Sequence, residues 1–546
     1  MLGAWMIASS LLLAGGDKTA TARDAVFDLK AILAPPLKAR TLKKSEKDGI
    51  VTEEVMFHSE NDGGKDVEIF AFFSYPKDGS KLPAFIWNQG GLGQASASRT
   101  EFGARRGYAT LCIDFPLPGY RSTGGYQITS GLEVGADPKQ APIYHGAVAL
   151  LRAVSFLESR PEVDKDRIGM AGSSWGGFYT TLMAGVDPRL KAASCMFGCG
   201  GLELGNFWWD NQGWDHKRDK AYRERWRTTL DPALRLATSK TAVAWFTGAN
   251  DQFYWLPSVM ASHERAAGPK HLSLVPNWKH ALTPEVDEQV FAWLDVHLKG
   301  APAFVTVSPI AEPELNGRLQ QAEWTFKNTS SRKIVRAEAA VSHGDAGNWI
   351  ARYWKVIPAE IQGDKCFVRQ PKGGYPYFMF GTLIDSDGFR YSTPIQRFDH
   401  AKGDEKPDYD GCSDWGGFEE PQIQFLKLHG YGAPPVGADA KEGKHAAALK
   451  PGKTLLRPFF FTSGLPHRLS LFAKSKADVK ITMAFDGFFD GKQYADKKTF
   501  MVGPEWTELT FDFTPPKALA GVLNLDVTTP PRSAVLVDSV RFRPVR

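Results

Sequence analysis

The sequence predicts an α/β domain, a mostly parallel sheet flanked by helices, followed by two all-β sandwich domains. Three observations carry that expectation. Short apolar runs alternate with helical patterns from Val67 to Gly300, helical patterns of comparable length stop after Gly300, and a polar, Gly- and Asp-rich stretch splits the later strand-like runs into two groups. A chain of 546 residues has room for several cores, at about 150 residues per domain.

In the first part, "VEIFAFFSY", "LPAFIWNQ", "ATLCIDF", "RIGMAG", "KAASCMF", "TAVAWFTG" and "HLSLVPN" are each followed by turn signals, as expected of strands buried on both faces. "HGAVALLRAVSFLESR" before Pro161, "WGGFYTTLMAG", and "PEVDEQVFAWLDVHLKG" with its proline start and glycine stop read as helices. This domain is assigned to residues 23–301. Over 302–400, "AEWTFKN", "IVRAEAAVSHG", "NWIARYWKV", "KCFVRQP" and "YPYFMFGTLIDSDGFRYST" read as strands of a small sandwich. "FDHAKGDEKPDYDGCSDWGG" reads as a linker, centred on 401–414. A second sandwich then covers 415–546, from "LLRPFFFT" and "HRLSLFAKS" to "AVLVDSVRFRP".

Residues 1–22 hold an apolar run too short to span a bilayer, followed by small residues suited to a signal peptidase. That reads as an export signal and a secreted or periplasmic protein. No Lys or Arg precedes the run, so a start placed too far downstream and an ordinary buried segment are the alternatives. The formal charge of +5 is small for this length and both signs are interspersed, which gives no footprint for nucleic acid. Beyond the signal, nothing calls for a membrane. Five cysteines are too few and too scattered for a disulfide framework, and Cys195 and Cys199 lack His or Cys neighbours at metal-ligand spacing.

The chemistry centres on "GMAGSSWGGFYTTLMAG", where Gly172, Ser174 and Gly176 form Gly-x-Ser-x-Gly between a strand and a helix. The pentapeptide alone is a weak signal, and an ordinary glycine-rich turn is the plain alternative. Its position gives it weight, because a serine on such a tight, strained turn is exposed for attack while small neighbours let strand and helix approach. Ser174 is therefore the candidate nucleophile.

A serine hydroxyl near neutral pH needs a base to take its proton, and the base needs a carboxylate to orient it. "TAVAWFTGANDQFY" supplies Asp251 after one strand and "HLSLVPNWKHAL" supplies His280 after the next. Asp251 alone could be a turn residue. His145, His216 and His263 are rivals to His280, but only His280 follows the strand after the acid.

Acyl transfer also needs donors for the developing oxyanion. Trp175 N–H, next to the nucleophile, is one candidate. The glycines of "AFIWNQGGLGQ" supply the other, Gly91, with Leu92 as the neighbouring alternative. The inserted stretch "GNFWWDNQGWDHKRDKAYRERWRTTLDP" offers Trp208, Trp209 and Trp214 as platforms for a sugar ring; the alternative is an amphipathic helix whose tryptophans pack on the domain.

Over roughly Val51 to Gly300, "YHGAVALLRAVSFLESRPEVDKDRIGMAGSSWGGFYTTLMAGVDPRLKAASCMFGCG", "FTGANDQFY" and "PNWKHALTPEVDEQVFAWLDVHLKG" resemble the acetylxylan-esterase-like and dienelactone-hydrolase-like branch of the α/β-hydrolases. The resemblance implies the α/β-hydrolase fold, a Ser174–His280–Asp251 triad, and an oxyanion hole at Gly91 and Trp175. One departure is Asn88-Gln89-Gly90-Gly91, where many relatives have His-Gly. The segment from Cys412 resembles jelly-roll carbohydrate-binding modules, with Trp415 and Phe418 as either sugar platforms or packing, and the middle sandwich resembles an immunoglobulin-like spacer.

The function so implied is an exported serine carboxylesterase that deacylates a polysaccharide, an oligosaccharide or a small ester, with no metal or cofactor. A prolyl-oligopeptidase-like serine peptidase, whose elbow also resembles "GSSWGGF", and a non-catalytic glycan-binding protein on a hydrolase scaffold are the competing expectations. The number of chains that assemble is not fixed by any feature of the sequence.

Overall fold

The computed structural model describes residues 26–91, 93–127, 132–210, 220–316, 319–343, 349, 354–371, 377–398, 418, 435–436, 439–460, 466–489, 492–514 and 521–544. The chain divides into two compact units. One gathers 1–247, 253–273 and 281–304; the other gathers 248–252, 274–280 and 305–546.

The first unit is built on β1 (Arg40–Lys47), β2 (Ile50–Asp62), β3 (Lys65–Pro76), β4 (Leu82–Asn88), β5 (Ala109–Ile113), β6 (Val163–Ser173), β7 (Leu190–Met196), β8 (Ala242–Gly248) and β9 (Lys270–Val275), in the order β1-β2-β3-β5-β4-β6-β7-β8-β9. The ladders β1–β2, β2–β3 and β3–β5 are antiparallel, while β5–β4, β4–β6, β6–β7 and β7–β8 are parallel. The helices are α1 (Leu29–Leu33), α2 (Ala97–Arg105), α3 (Pro142–Glu158), α4 (Trp175–Val186), α5 (Phe207–Asp210), α6 (Lys220–Thr229), α7 (Leu256–Arg265) and α8 (Pro284–Lys299). All seven apolar runs read as strands are strands here. β4, β5 and β8 are buried along almost their whole length, as two-sided coverage of a sheet requires.

Strand order reverses about β4, with β5 on one side and β6 on the other. Crevices for ligands form at such a switch point, beyond the carboxyl ends of the strands. Register places Asn88 at the end of β4 beside Gly172 of β6, so the loop after β4 starts next to the serine turn. Arg152 of α3, almost wholly buried, fixes the N-terminal segment by donating to the carbonyls of His58, Leu33 and Pro35.

In the second unit, β10 (Thr306–Val307), β11 (Glu314–Asn316), β12 (Leu319–Lys327), β13 (Ile334–His343), β14 (Lys355–Gln362), β15 (Lys365–Pro371), β16 (Tyr377–Asp385), β17 (Arg390–Ser392) and β18 (Gln396–Phe398) form one nine-stranded antiparallel sheet. It is continuous because β14 pairs with β13 through Lys355–Ala359 and with β15 through Glu360–Gln362. The run "NWIARYWKV" is strand only from Lys355 onward among its described residues.

The C-terminal strands are β19 (Pro435–Val436), β20 (Ala446–Leu449), β21 (Gly452–Phe460), β22 (His467–Ser475), β23 (Val479–Phe489), β24 (Lys492–Val502), β25 (Thr507–Phe513), β26 (Gly521–Thr529) and β27 (Val535–Pro544). They form a five-stranded sheet, β19-β20-β27-β22-β25, and a four-stranded one, β21-β26-β23-β24. Residues from both, including Leu471, Phe511, Val537, Ile481, Phe485 and Leu525, close one core. Phe418 is buried in that core, so it packs rather than offering a face to sugar. Trp415, Cys412 and the 401–414 linker lie outside the described residues, as does the 1–22 signal segment. Among the described residues no helix is long and apolar enough to cross a membrane.

Candidate active site

β6 passes into α4 through Ser174, whose φ of 55° and ψ of −119° place a non-glycine residue in a region most L-residues avoid. Two bonds hold the turn: Ser174 N donates to Met196 O at 2.9 Å, and Phe178 N donates to Ser174 O at 2.9 Å. The flanking glycines are needed for space. A β-carbon on Gly172 would lie 2.4 Å from Gly176 O, and one on Gly176 would lie 2.2 Å from Asn88 O. Strand, turn and helix are thus drawn against the end of β4, leaving the Ser174 side chain half-buried at the start of a twelve-residue helix.

The loop after β4 runs against this turn. A β-carbon on Gly90 would sit 2.8 Å from Ser173 O and 3.1 Å from Ser174 Cβ. Gly91 follows with φ of 50°, while Leu92 lies outside the described residues. Buried Asn88 ties the loop to α4 by donating from Nδ2 to Thr180 Oγ1 at 3.1 Å. Trp175 opens α4, where the first N–H groups have no acceptor within the helix and the helix dipole favours negative charge.

In the second unit, the loops after β8 and β9 bring Asp251 and His280 together. His280 Nδ1 lies 2.7 Å from Asp251 Oδ2, with the carboxylate buried and the ring mostly so. The loops are fastened to each other through backbone: Ala249 N donates to Val275 O at 2.8 Å and Asn250 N to Trp278 O at 2.9 Å. Gln252 Oε1 accepts from His280 N at 3.2 Å. Gly248 permits this approach, since a β-carbon there would lie 2.1 Å from Trp278 O. A carboxylate bound to Nδ1 leaves Nε2 as the nitrogen that can act as base.

Two of the rival histidines have other partners. His145 sits in the first turn of α3, 2.8 Å from Glu60 Oε1 through Nδ1, and stacks on Tyr126 with centroids 3.7 Å apart. His263 is half-buried, edge-on to Trp245, and desolvation there pushes its imidazole down to about 4. His216 lies outside the described residues.

Of the three tryptophans read as sugar platforms, only Trp208 can be placed with its side chain. It sits in α5 within a cluster of rings: Trp175 at 5.1 Å, Tyr254 at 5.1 Å and Phe253 at 6.0 Å between centroids. Trp208 therefore packs, and it packs on the residue next to Ser174. Trp214 and the Trp209 side chain lie outside the described residues. Sequence reading missed the Asp114–Arg121 pair on the loop after β5. Buried Asp114 accepts from Arg121 Nε at 2.8 Å and from Ala95 N at 2.5 Å, joining that loop to the one leading into α2. Among the described residues no group of His, Cys, Asp and Glu could hold a metal ion.

No family model matches the chain. Dipeptidyl-peptidase 5 of Porphyromonas gingivalis is 27% identical over 243 residues, 40% of this chain and 34% of that protein. Acetyl esterase Axe7A of Xylanibacter ruminicola is 23% identical over 257 residues, 42% of this chain and 56% of that protein. In both cases the matched part is less than two thirds of the relative's length. Among solved structures, an acetyl xylan esterase from Paenibacillus sp. R4 is similar with a TM-score of 0.44 at 21% identity, over 52% of this chain and 95% of that one. Acetyl xylan esterase 1 from Thermoanaerobacterium sp. JW/SL YS485 gives 0.44 at 17% identity, over 51% and 93%.

Proposed function

We propose that the chain is a serine hydrolase of carboxylic esters, with Ser174 as nucleophile, His280 as general base and acid, and Asp251 orienting the imidazole. The observation that carries this reading is the strained backbone of Ser174 between two glycines that cannot bear a side chain. The 2.7 Å contact of Asp251 with His280 Nδ1 supports the remaining roles.

In the reaction Ser174 Oγ attacks the acyl carbon as His280 Nε2 takes the hydroxyl proton. The carbonyl oxygen becomes an oxyanion held by the N–H groups of Trp175 and Gly91. Collapse of the tetrahedral species breaks the bond to the alcohol, which leaves with the proton from His280. Water then attacks the acyl-enzyme with His280 again as base, releasing the acid and restoring Ser174.

The substrate we favour is an acetylated or otherwise acylated carbohydrate, polymer or oligosaccharide, met outside the cytoplasm after export directed by residues 1–22. The acetyl esterase among the curated relatives supports an ester. The second reading, a serine peptidase, draws on the dipeptidyl-peptidase at 27% identity.

A single comparison separates them. Wild type and Ser174→Ala are assayed on a short-chain aryl acetate, acetylated xylan and a dipeptide amide. Acetate release lost in the variant is the expected result. Amide cleavage without deacetylation would transfer the chain to the peptidases. Absence of turnover with retained glycan binding would make it a binding protein.

A further inference from the structure

We infer that Trp349, Trp354 and Ser392 of the second unit position the acid–base pair, and that Asn277 is the positioning residue through which they act. The inference rests on His280 and Asp251 having the roles proposed above. Asn277 lies three residues before His280 and holds φ of 55°, a left-handed conformation that Asn tolerates better than most side chains. Its buried amide makes two bonds to one of these residues: Nδ2 donates to Trp354 O at 2.7 Å, and Oδ1 accepts from Trp354 N at 2.8 Å. Both polar atoms of the side chain are thus spent on the backbone of a fully buried tryptophan, a two-point clamp that fixes direction as well as distance.

Two further contacts act on the same loops. Asn250, next to Asp251 and fully buried, directs Nδ2 at Trp349 O, 3.4 Å away. Leu274 N, near the end of β9, donates to Ser392 Oγ at 3.0 Å. Each loop that delivers a member of the pair is therefore tied to residues 70 or more positions away in sequence. A shift of about 1 Å in a reacting group can cost about a hundredfold in rate. The clamp prevents that kind of drift in the imidazole.

The test uses the full-length protein and compares wild type, Asn277→Gly, His280→Ala and the double variant on an aryl acetate. Glycine keeps the left-handed backbone without strain and removes only the clamp. In folded Asn277→Gly, kcat should fall roughly tenfold to a hundredfold with KM little changed. In the His280→Ala background the same substitution should cost nothing more, because there is no imidazole left to orient. An unchanged kcat, or an equal loss in both backgrounds, overturns the inference. Should the glycine variant not fold, Asn277→Asp, which keeps the bond from Trp354 N and loses the one to Trp354 O, is read against the same two criteria. If His280→Ala itself retains wild-type turnover, the triad reading fails; if His280→Ala is inactive and the clamp variants are not impaired, only the positioning inference fails.

Discussion

Ser174 keeps a conformation that costs about 1–3 kcal/mol in a non-glycine residue, and its surroundings leave it no alternative. Ser174→Gly should relieve the strain, raising the unfolding free energy in a denaturant melt by about 1 kcal/mol while abolishing ester turnover. A variant both inactive and less stable would mean the turn is not strained in solution. Gly176→Ala should do the reverse, since its β-carbon would meet Asn88 O at 2.2 Å; a loss of about 3 kcal/mol in the same melt is expected. Gly-x-Ser-x-Gly was legible because its residues are consecutive and fall between a strand-like and a helical run; its close packing on Asn88 was not. Asn277 was not, because an Asn at a strand end reads as a turn residue and its partner, Trp354, lies 77 positions further on.

Elements were legible where burial wrote a period into the sequence. β4, β5 and β8 are apolar throughout because both faces are covered, and "HRLSLFAKS" alternates because one face is not. β1 escaped notice: every residue of "RTLKKSEK" is exposed, as suits an edge strand defended by lysines. α2 buries only Thr100, Gly103 and Ala104, which leave no apolar stripe to read.

The turn after β7 adds a pH-dependent term. Burial first, and the neighbouring Asp231 carboxylate second, push the Glu203 carboxyl up to about 7. A raised carboxyl binds its proton more tightly in the folded state, so its contribution is complete below the ordinary carboxylate range and is lost as pH rises through about 7. His263, pushed down to about 4, works in the opposite sense and loses its contribution as pH falls. Thermal midpoints of wild type and Glu203→Gln compared from pH 5 to pH 8, a span of about three units across that range, cancel the histidine. The advantage of the Gln variant should grow toward pH 8, and a difference independent of pH would refute the assignment.

Across the whole molecule, the sequence divides the chain at residue 301, while packing gathers 248–252 and 274–280 with the strands that come later. Hydrogen bonds such as Asn277–Trp354 and Leu274–Ser392 explain that grouping, and no local pattern announces them. Most middle runs coincide with strands, but β14 begins only at Lys355 and β10, β11 and β18 gave no run to read; the union into a single nine-stranded sheet depends on β14 serving two ladders, which local alternation does not encode. Asp251 and His280 are proposed from their order after successive strands, and the structure sets their side chains 2.7 Å apart. Replacing either should lower kcat/KM for an aryl acetate by roughly 10⁴-fold or more, and the two losses should not add in the double variant.

The central claim is that Ser174 carries the acyl group between two chemical steps. Mass spectrometry of the protein quenched during turnover of an aryl acetate tests it most directly. The account requires one acetyl group on the peptide containing Ser174, and none in Ser174→Ala. An acetyl group on another residue, or steady turnover in Ser174→Ala, would contradict it.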